Sequence, residues 1–306
     1  MWYMDVSIII VNYNTKSLLN NCLLSIYKLT KEIDFEVIVS DNGSIDGSVE
    51  LLQDKFPQVI LIENNANLGF GAANNKGLAV ASGKYVFYLN SDTVLMNNAV
   101  KLFFDYFEEN GKRQNLGVLG CNLLTKGGCI GVSYGSFCTS LHRLKVAFVD
   151  FLRIYKASFF RNKLINALDS KDFFTPYVGY VDYVIGADMF MLNNEYARFD
   201  ESYFMYVEEV DLQYQLKKKG FKNYIIDTPK IMHLEGASSK NSEPKRVLDA
   251  YSSFSKLNNM ISSIMYEKKN GNNPLCLFFL RLFTFLSMIN PRLYPQSKRY
   301  IRKIFQ

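Results

Sequence analysis

The sequence predicts an α/β protein with a Rossmann-like, doubly wound mixed sheet and a C-terminal helical extension. Three observations carry that expectation. The segment Asp5-Val-Ser-Ile-Ile-Ile-Val-Asn12 is a continuous β-branched run, the pattern of a strand buried on both faces. Strand and helix signals then alternate over about the first 115 residues, as right-handed βαβ units require. Asn or Asp closes successive strands on one side of the implied sheet, where ligands of open α/β sheets bind.

The elements follow in order. After the first strand, residues 15–29 space Leu18, Leu19, Cys22, Leu23 and Ile26 as one helical face. Phe35–Ser40 is the second strand and is cut off by Asp41-Asn42-Gly43-Ser44. Residues 46–55 predict a helix, and Val59–Ile62 a short third strand. Residues 70–81 predict a helix with small residues for close packing, and Lys84–Leu89 a fourth strand. Beyond residue 115 the alternation weakens, as in a mixed region with antiparallel strands. Residues 206–219 predict a helix ending at Lys217-Lys218-Lys219-Gly220, with cations and a glycine where a helix C-terminus favours them. Residues 142–163 and 245–269 also carry helical spacing. The apolar run 275–289 contains Arg281 and numbers fifteen, short of the roughly 20 residues of a spanning helix.

Composition narrows the class. With 48% apolar and 21% charged residues in 306, the chain can bury a large core and is not disordered. Its length suits about two domains. The five cysteines are odd in number and lack C-x-x-C spacing, so neither a disulfide framework nor a zinc site is expected. No signal peptide is legible at Met1–Asp5, and a reducing cytoplasm is the expected compartment.

The net charge of +6 hides a partition. Residues 1–141 hold 10 basic and 13 acidic residues, and residues 164–244 hold 8 and 13. Residues 142–163 hold 6 and 1, and residues 245–306 hold 11 and 2. Positive charge confined to two segments without a nucleic-acid motif excludes a general nucleic-acid binder. It implies two local contacts with something anionic. Residues 142–163 interleave Arg143, Lys145, Arg153, Lys156, Arg161 and Lys163 with apolar residues. Together with 275–306 they suit an anionic membrane surface. A helical pair packed on itself or on a partner chain, and so a homo-oligomer, is the competing expectation.

Four strand ends carry the polar candidates: Asn12-Tyr13-Asn14, Asp41-Asn42-Gly43-Ser44, Asn67-Leu68-Gly69 and Asn90-Ser91-Asp92. Any one alone is an ordinary turn or cap. Together on one edge they predict a ligand cleft. The ligand is not a dinucleotide, because the first strand lacks G-x-G-x-x-G and no Walker A motif is present.

These segments, with 6–14, 41–48 and 67–77, resemble the donor half of family-two glycosyltransferases of the GT-A fold. Gly186-Ala187-Asp188-Met189, Phe204–Leu212 and His233–Ser238 resemble the acceptor half of its rhamnosyltransferase-like branch. The matches keep the family's order over about residues 6–240. The resemblance implies residues 1–114 as a nucleotide-sugar donor half, 115–244 as an acceptor-binding and catalytic half, and 245–306 as a basic amphipathic tail. It implies donor contacts from Asn12, Tyr13, Asn14, Asp41, Asn67, Gly69, Asn75, Asn90, Ser91 and Asp92, and acceptor contacts from Gly186, Ala187 and Asp188. A carboxylate can accept the N3–H of uracil or thymine, so Asp41 suits a pyrimidine; the same residue can cap the helix beginning near Ile45.

Asn90-Ser91-Asp92 occupies the family's D-x-D position, with Asp92 as its one carboxylate. The resemblance implies Mn²⁺ or Mg²⁺ held by Asp92 and His233 on the donor diphosphate. Inverting transfer needs a base for the acceptor hydroxyl. By position that base is Glu209, with Glu208 and Asp211 open as alternatives. The expected activity is transfer of a sugar from dTDP-rhamnose or a UDP-hexose to a growing, lipid-linked surface glycan. The expected place is the cytoplasm, peripherally at the inner face of the plasma membrane. A non-catalytic nucleotide-sugar-binding or scaffold protein is the alternative.

Overall fold

The computed structural model describes residues 4–155, 175–234, 254–291 and 294–306. The chain forms two compact units. One comprises Met1–Phe137, Asp172–Ser202 and Glu208–Lys240; the other comprises Cys138–Lys171, Tyr203–Val207 and Asn241–Gln306.

The first unit is built on strands β1 (Met4–Asn12), β2 (Phe35–Asp41), β3 (Ile60–Glu63), β4 (Gly83–Leu89), β5 (Thr93–Leu95), β6 (Leu116–Cys121), β7 (Tyr134–Gly135), β8 (Gly179–Val181), β9 (Tyr183–Val184), β10 (Asp188–Leu192), β11 (Lys222–Ile226) and β12 (Ile231–His233). Eight of them form one sheet in the order β3-β2-β1-β4-β10-β6-β11-β8. The first four are mutually parallel, and β10 runs antiparallel to both β4 and β6. This is the mixed, doubly wound sheet that the sequence predicts.

The period-2 geometry of strands explains the unbroken apolar runs. Ile8 and Ile10 enter one core layer with Val37, Val39, Phe87 and Leu89. Ile9 enters the opposite layer with Ile38, Val86 and Tyr88. Helix α1 (Lys16–Leu29) buries Leu19, Cys22, Leu23 and Ile26 at helical spacing. Helices α2 (Ser48–Lys55), α3 (Phe70–Leu78) and α4 (Ala99–Gln114) follow in the same unit. On α3, a methyl at Gly77 would lie 2.5 Å from Ile9 Cγ2, so the glycine permits close approach to β1.

Several boundaries differ from the sequence expectation for local reasons. Helix α2 begins at Ser48 rather than 46, because Asp46 Oδ1 accepts from Ser48 N at 3.1 Å and Gly47 takes a left-handed φ of +83°. Helix α3 ends at Leu78 rather than 81, as Ala79–Ala81 turn into β4. Helix α6 (Glu208–Lys218) begins two residues late, because Tyr206 and Val207 have φ of +68° and +71°.

The second unit consists of α5 (Ser140–Ile154), α7 (Phe254–Asn270), α8 (Pro274–Met288) and α9 (Tyr294–Ile301). Thr139 caps α5 by accepting from His142 N at 3.2 Å. Asn273 caps α8 through Leu275 N and Cys276 N, with Pro274 in the first turn. Ala147, Leu257, Met260, Ile261, Ile264, Leu280, Met288, Tyr300 and Ile304 form its core. The sequence divides the chain at 114 and 244; in the structure α5, from the middle segment, instead joins the C-terminal helices. The expected helical stretches at 156–163 and 245–253 lie outside the described residues.

Candidate active site

The carboxyl ends of β1 and β2 are joined by buried polar contacts. Asn12 Nδ2 donates to Asp41 Oδ2 at 2.7 Å and to Ser44 Oγ at 3.0 Å. Asp41 Oδ1 accepts from Gly43 N at 3.0 Å and Ser44 N at 2.8 Å. Three of about four acceptor positions on that carboxylate are thus taken within the fold. Asp41 does not cap the helix expected near Ile45: the helix begins at Ser48 behind Gly47 with no side-chain cap, and Asp41 instead ties down the Gly43-Ser44 loop. Asn14, left-handed at φ +54°, accepts from Ile45 N at 2.8 Å and fixes the same loop. Tyr13 beside it is exposed.

The network extends to the turn after β4. Thr15 Oγ1 donates to Asn12 Oδ1 at 2.6 Å and lies 2.9 Å from Ser91 Oγ. Asn42, a strand-end candidate that is not among the donor contacts implied by the resemblance, is the hub of the third strand end. Its Nδ2 donates to Gly69 O at 3.1 Å and Asn67 Oδ1 at 3.4 Å, and its Oδ1 accepts from Asn64 at 3.0 Å. Asn67 Oδ1 also accepts from Gly69 N at 3.0 Å. Asn42 and Ser44 were named within the Asp41-Asn42-Gly43-Ser44 motif without a role of their own, because the sequence showed their type but not which neighbours they join. Asn75 is buried and serves as a clamp, donating to Phe199 O and Glu201 Oε1 and accepting from Phe199 N, each at 2.9 Å.

Asp92 and His233 meet. Thr93 and His233 face each other across the β5–β12 pair, and Leu234 N donates to Asp92 O at 2.9 Å. That register brings His233 Nε2 to 3.3 Å from Asp92 Oδ1. Asn90 N donates to Ala187 O at 3.1 Å, which ties this turn to Gly186-Ala187-Asp188. Cys22, beneath the turn, is no nucleophile: burial pushes its thiol up to about 12.

Asp188 is fully buried at the start of β10, and its Oδ2 accepts from Cys121 N at 2.7 Å. Burial pushes its carboxyl up to about 8, against the amide bond and the charge of His233, which lower it. Its Oδ1 has no hydrogen-bond partner.

The three acids of α6 are not equivalent. Glu208 and Asp211, one turn apart, are 2% and 1% exposed. Asp211 accepts from Gln215 Nε2 at 3.1 Å. A methyl at Gly71 would lie 3.6 Å from Glu208 Cγ, so Glu208 sits under α3. Glu209 points elsewhere and is half-buried. A methyl at Gly186 would lie 3.8 Å from its Cβ. Desolvation raises the Glu209 carboxyl above the ordinary range, opposed by the amides of Glu209 and Val210. The accessible acid thus stands beside the strand entry whose next carbonyl holds Asn90.

One carboxylate and one imidazole, 3.3 Å apart, suit a hard or borderline divalent cation. No group of three or more His, Cys, Asp or Glu side chains that could hold a metal occurs among the described residues. The pair therefore fits such an ion where phosphate oxygens and water fill its other positions.

Fold and site together define a GT-A-like α/β protein with a polar network at the carboxyl ends of its strands. Residues 7–124 match the family model "Glycosyl transferase family 2", and the chain carries a family-two glycosyltransferase domain. It is 34% identical over 122 residues to a poly(ribitol-phosphate) beta-glucosyltransferase of Bacillus spizizenii, covering 38% of this chain and 19% of that protein. It is 23% identical over 258 residues to an N-acetylglucosaminyl-diphospho-decaprenol L-rhamnosyltransferase of Mycobacterium tuberculosis, covering 80% of each. The chain spans well under half the length of the first curated relatives it matches. A solved mannosyltransferase of Pyrobaculum calidifontis, in complex with GDP-Man and Mn²⁺, shares the fold at a TM-score of 0.52 and 15% identity, covering 98% of this chain and 74% of that one.

Proposed function

We propose that the protein is an inverting glycosyltransferase that moves a sugar from a nucleotide-diphosphate donor to a lipid-linked saccharide at the inner face of an anionic membrane. The observation that carries this reading is the meeting of Asp92 and His233 at 3.3 Å on the edge that bears the family match. In the proposed step Glu209 takes the acceptor hydroxyl proton while that oxygen attacks the anomeric carbon. The carbon–oxygen bond to the diphosphate breaks, and its electron pair leaves with the nucleotide. A raised carboxyl suits this base, because its proton affinity moves towards the working pH. Asp92 and His233 would hold Mn²⁺ or Mg²⁺, which when bound neutralises developing charge on the leaving diphosphate. Asn12, Ser91 and Asn42 hold the donor-side loops in register.

The donor is proposed to be dTDP-rhamnose or a UDP-hexose, supported by the 80% mutual coverage with a rhamnosyltransferase. The test is nucleotide release from a panel of these donors with Mn²⁺ and a diphospho-lipid saccharide, with the product anomer read by NMR. Retention of configuration would sink the single displacement. Binding of nucleotide without release from any donor would favour the scaffold alternative.

A further inference from the structure

We propose that the outward face of α8 is the surface that seats this protein on an anionic bilayer. The inference deepens the membrane setting above and rests on it only for where the acceptor lies.

Helix α8 is apolar on both sides. Cys276, Leu280, Thr284, Ser287 and Met288 are buried, and Leu280 and Met288 pack with residues of α5 and α7. Its other side carries Leu275, Phe278, Phe279, Leu282 and Leu286, with Ile289 just beyond, at the 3- and 4-residue steps of one helical stripe. Leu275 is 68% and Phe278 59% exposed. Phe278 and Phe279 pack edge to face at 5.3 Å, so the two exposed rings form one patch. A contiguous exposed apolar patch marks an interaction surface. Fifteen residues span about 22 Å, short of the roughly 30 Å of a hydrocarbon core. Among the described residues no helix is long and apolar enough to cross a membrane. The stripe suits lying in the interface, not crossing it.

Charge selects the occupant. Among the described residues this unit has two acids, Asp150 and Glu267, and both are buried. Asp150 meets Arg153 at 3.3 Å and Lys256 at 2.6 Å, and Glu267 meets Arg143 at 3.7 Å. Lys145, Lys268, Lys269, Lys298, Arg299, Arg302 and Lys303 are exposed. The described surface therefore offers cations and apolar side chains and no carboxylate. A second copy apposed through α8 would bring like charges together without a compensating acid. Anionic headgroups neutralise those cations while acyl chains take up the stripe.

The test uses the full chain and extruded vesicles of phosphatidylcholine with or without 30% phosphatidylglycerol (about one lipid in three, anionic enough to set a surface potential). The wild type is expected to sediment with the anionic vesicles, less so at high salt. Leu275→Ser with Phe278→Ser is expected to weaken that partition at least about tenfold. Phe278→Trp in a Trp2→Phe background, which makes it the chain's one tryptophan, is expected to be quenched by bromolipids placed about 5–10 Å below the headgroups. Equal binding to both vesicle types, an unquenched Trp in vesicle-bound protein, or wild-type partition by the double variant would each overturn the proposal. So would a lipid-free dimer that Phe278→Ser dissolves with vesicle binding unchanged; that result assigns the stripe to a second copy. Nucleotide release with a water-soluble acceptor is measured in parallel. The double variant is expected to retain it. Vesicle binding without any turnover by the wild type would refute the transferase reading and leave this surface standing.

Discussion

The two units depart from the usual inside–outside rule in different ways. The sheet unit buries polar and ionisable side chains: Asn12, Asp41, Asn75, Asp92, Asp188, Glu208 and Asp211 are all buried. The helical unit exposes Leu275, Phe278 and Phe279 and covers its two acids with cations. Buried polar groups and exposed apolar patches are the informative exceptions to burial statistics. Burying polar groups costs stability unless they are hydrogen-bonded. In the sheet unit the outlay sets loops and carboxylates in fixed register, which directional chemistry requires. In the helical unit the departure creates a non-directional surface, which suits contact with a fluid phase. On the readings proposed above, one unit would recognise atoms and the other a medium.

The largest expected effect tests the sheet unit's chemistry. Glu209→Gln should lower turnover by about 10²–10⁴-fold with donor affinity kept. Glu208→Gln should instead act mainly on stability, because that side chain lies beneath α3. Nucleotide-release kinetics with denaturation midpoints separate the two, and loss of turnover confined to Glu208→Gln would move the base by one residue. The wild-type rate should also rise with pH through an acid limb above that of an ordinary glutamate, since transfer needs the deprotonated form and the Glu209 carboxyl is raised.

The next effect concerns the cost of burial itself. Asp188 is raised from 3.8 to about 8 in the folded chain. Between those values the native state holds a proton that the unfolded state has lost, so stability falls as pH rises across that window. Asp188→Asn keeps an acceptor for Cys121 N and cannot ionise. It should match the wild type near pH 4 and exceed it at pH 9 by roughly 3 kcal/mol or more, at 1.36 kcal/mol per pK unit. Urea midpoints at the two pH values, in EDTA, check it. Parallel profiles would show that Asp188 does not titrate in this way.

A smaller effect is expected for the pair at the cleft. Asp92→Ala and His233→Ala should each weaken Mn²⁺-dependent donor binding at least about tenfold, comparable with loss of a group in a metal site. Calorimetry with and without EDTA measures it. Unchanged binding in both variants would remove the proposed cation site and leave the buried pair as a structural contact.

What the sequence made legible follows from the range of each signal. The β-branched runs of β1 and β2 and the aromatic-rich run of β4 are local and were readable with their boundaries nearly right. The meeting of Asp92 and His233 was expected only through the family resemblance, which implies both as ligands of one ion from two separate motifs 141 positions apart. Asn75 and Asp188 were readable as polar candidates but not as a buried clamp and a buried acid, because an Asn or Asp side chain has the same chemistry in either setting. Their partners, Phe199 and Cys121, come from distant segments that no local pattern marks. The joining of α5 to α8 is the self-packed helical pair that the sequence offered as its competing expectation, whereas the part taken by α7 had no local signal. An amphipathic helix reveals that it has a buried face, not which surface covers it. The distinction among Glu208, Glu209 and Asp211 needed the helix start, and two left-handed residues moved that start away from its sequence expectation.

Those two residues supply the last prediction, at the point where the chain passes between the units it contrasts. Tyr206 and Val207 end the helical unit's Tyr203–Val207 segment, and Glu208 opens α6 in the sheet unit. In that segment Met205 O accepts from Ser262 Oγ at 2.8 Å, and Phe204 packs edge to face on Phe254 at 5.7 Å. A β-branched residue at φ +71° is sterically opposed, at a cost of about 1–2 kcal/mol. Such a residue persists only where its surroundings over-determine it. Val207→Asn keeps a comparable size and accepts the left-handed region. It should stabilise the fold by up to about 1 kcal/mol, with Glu209 presented as before and turnover retained. Val207→Ile should show no such gain. Guanidinium midpoints with nucleotide release decide between two uses of the strain. Higher stability with unchanged turnover makes the turn a cost of joining two unlike units, whereas higher stability with turnover lost makes it part of how Glu209 is held.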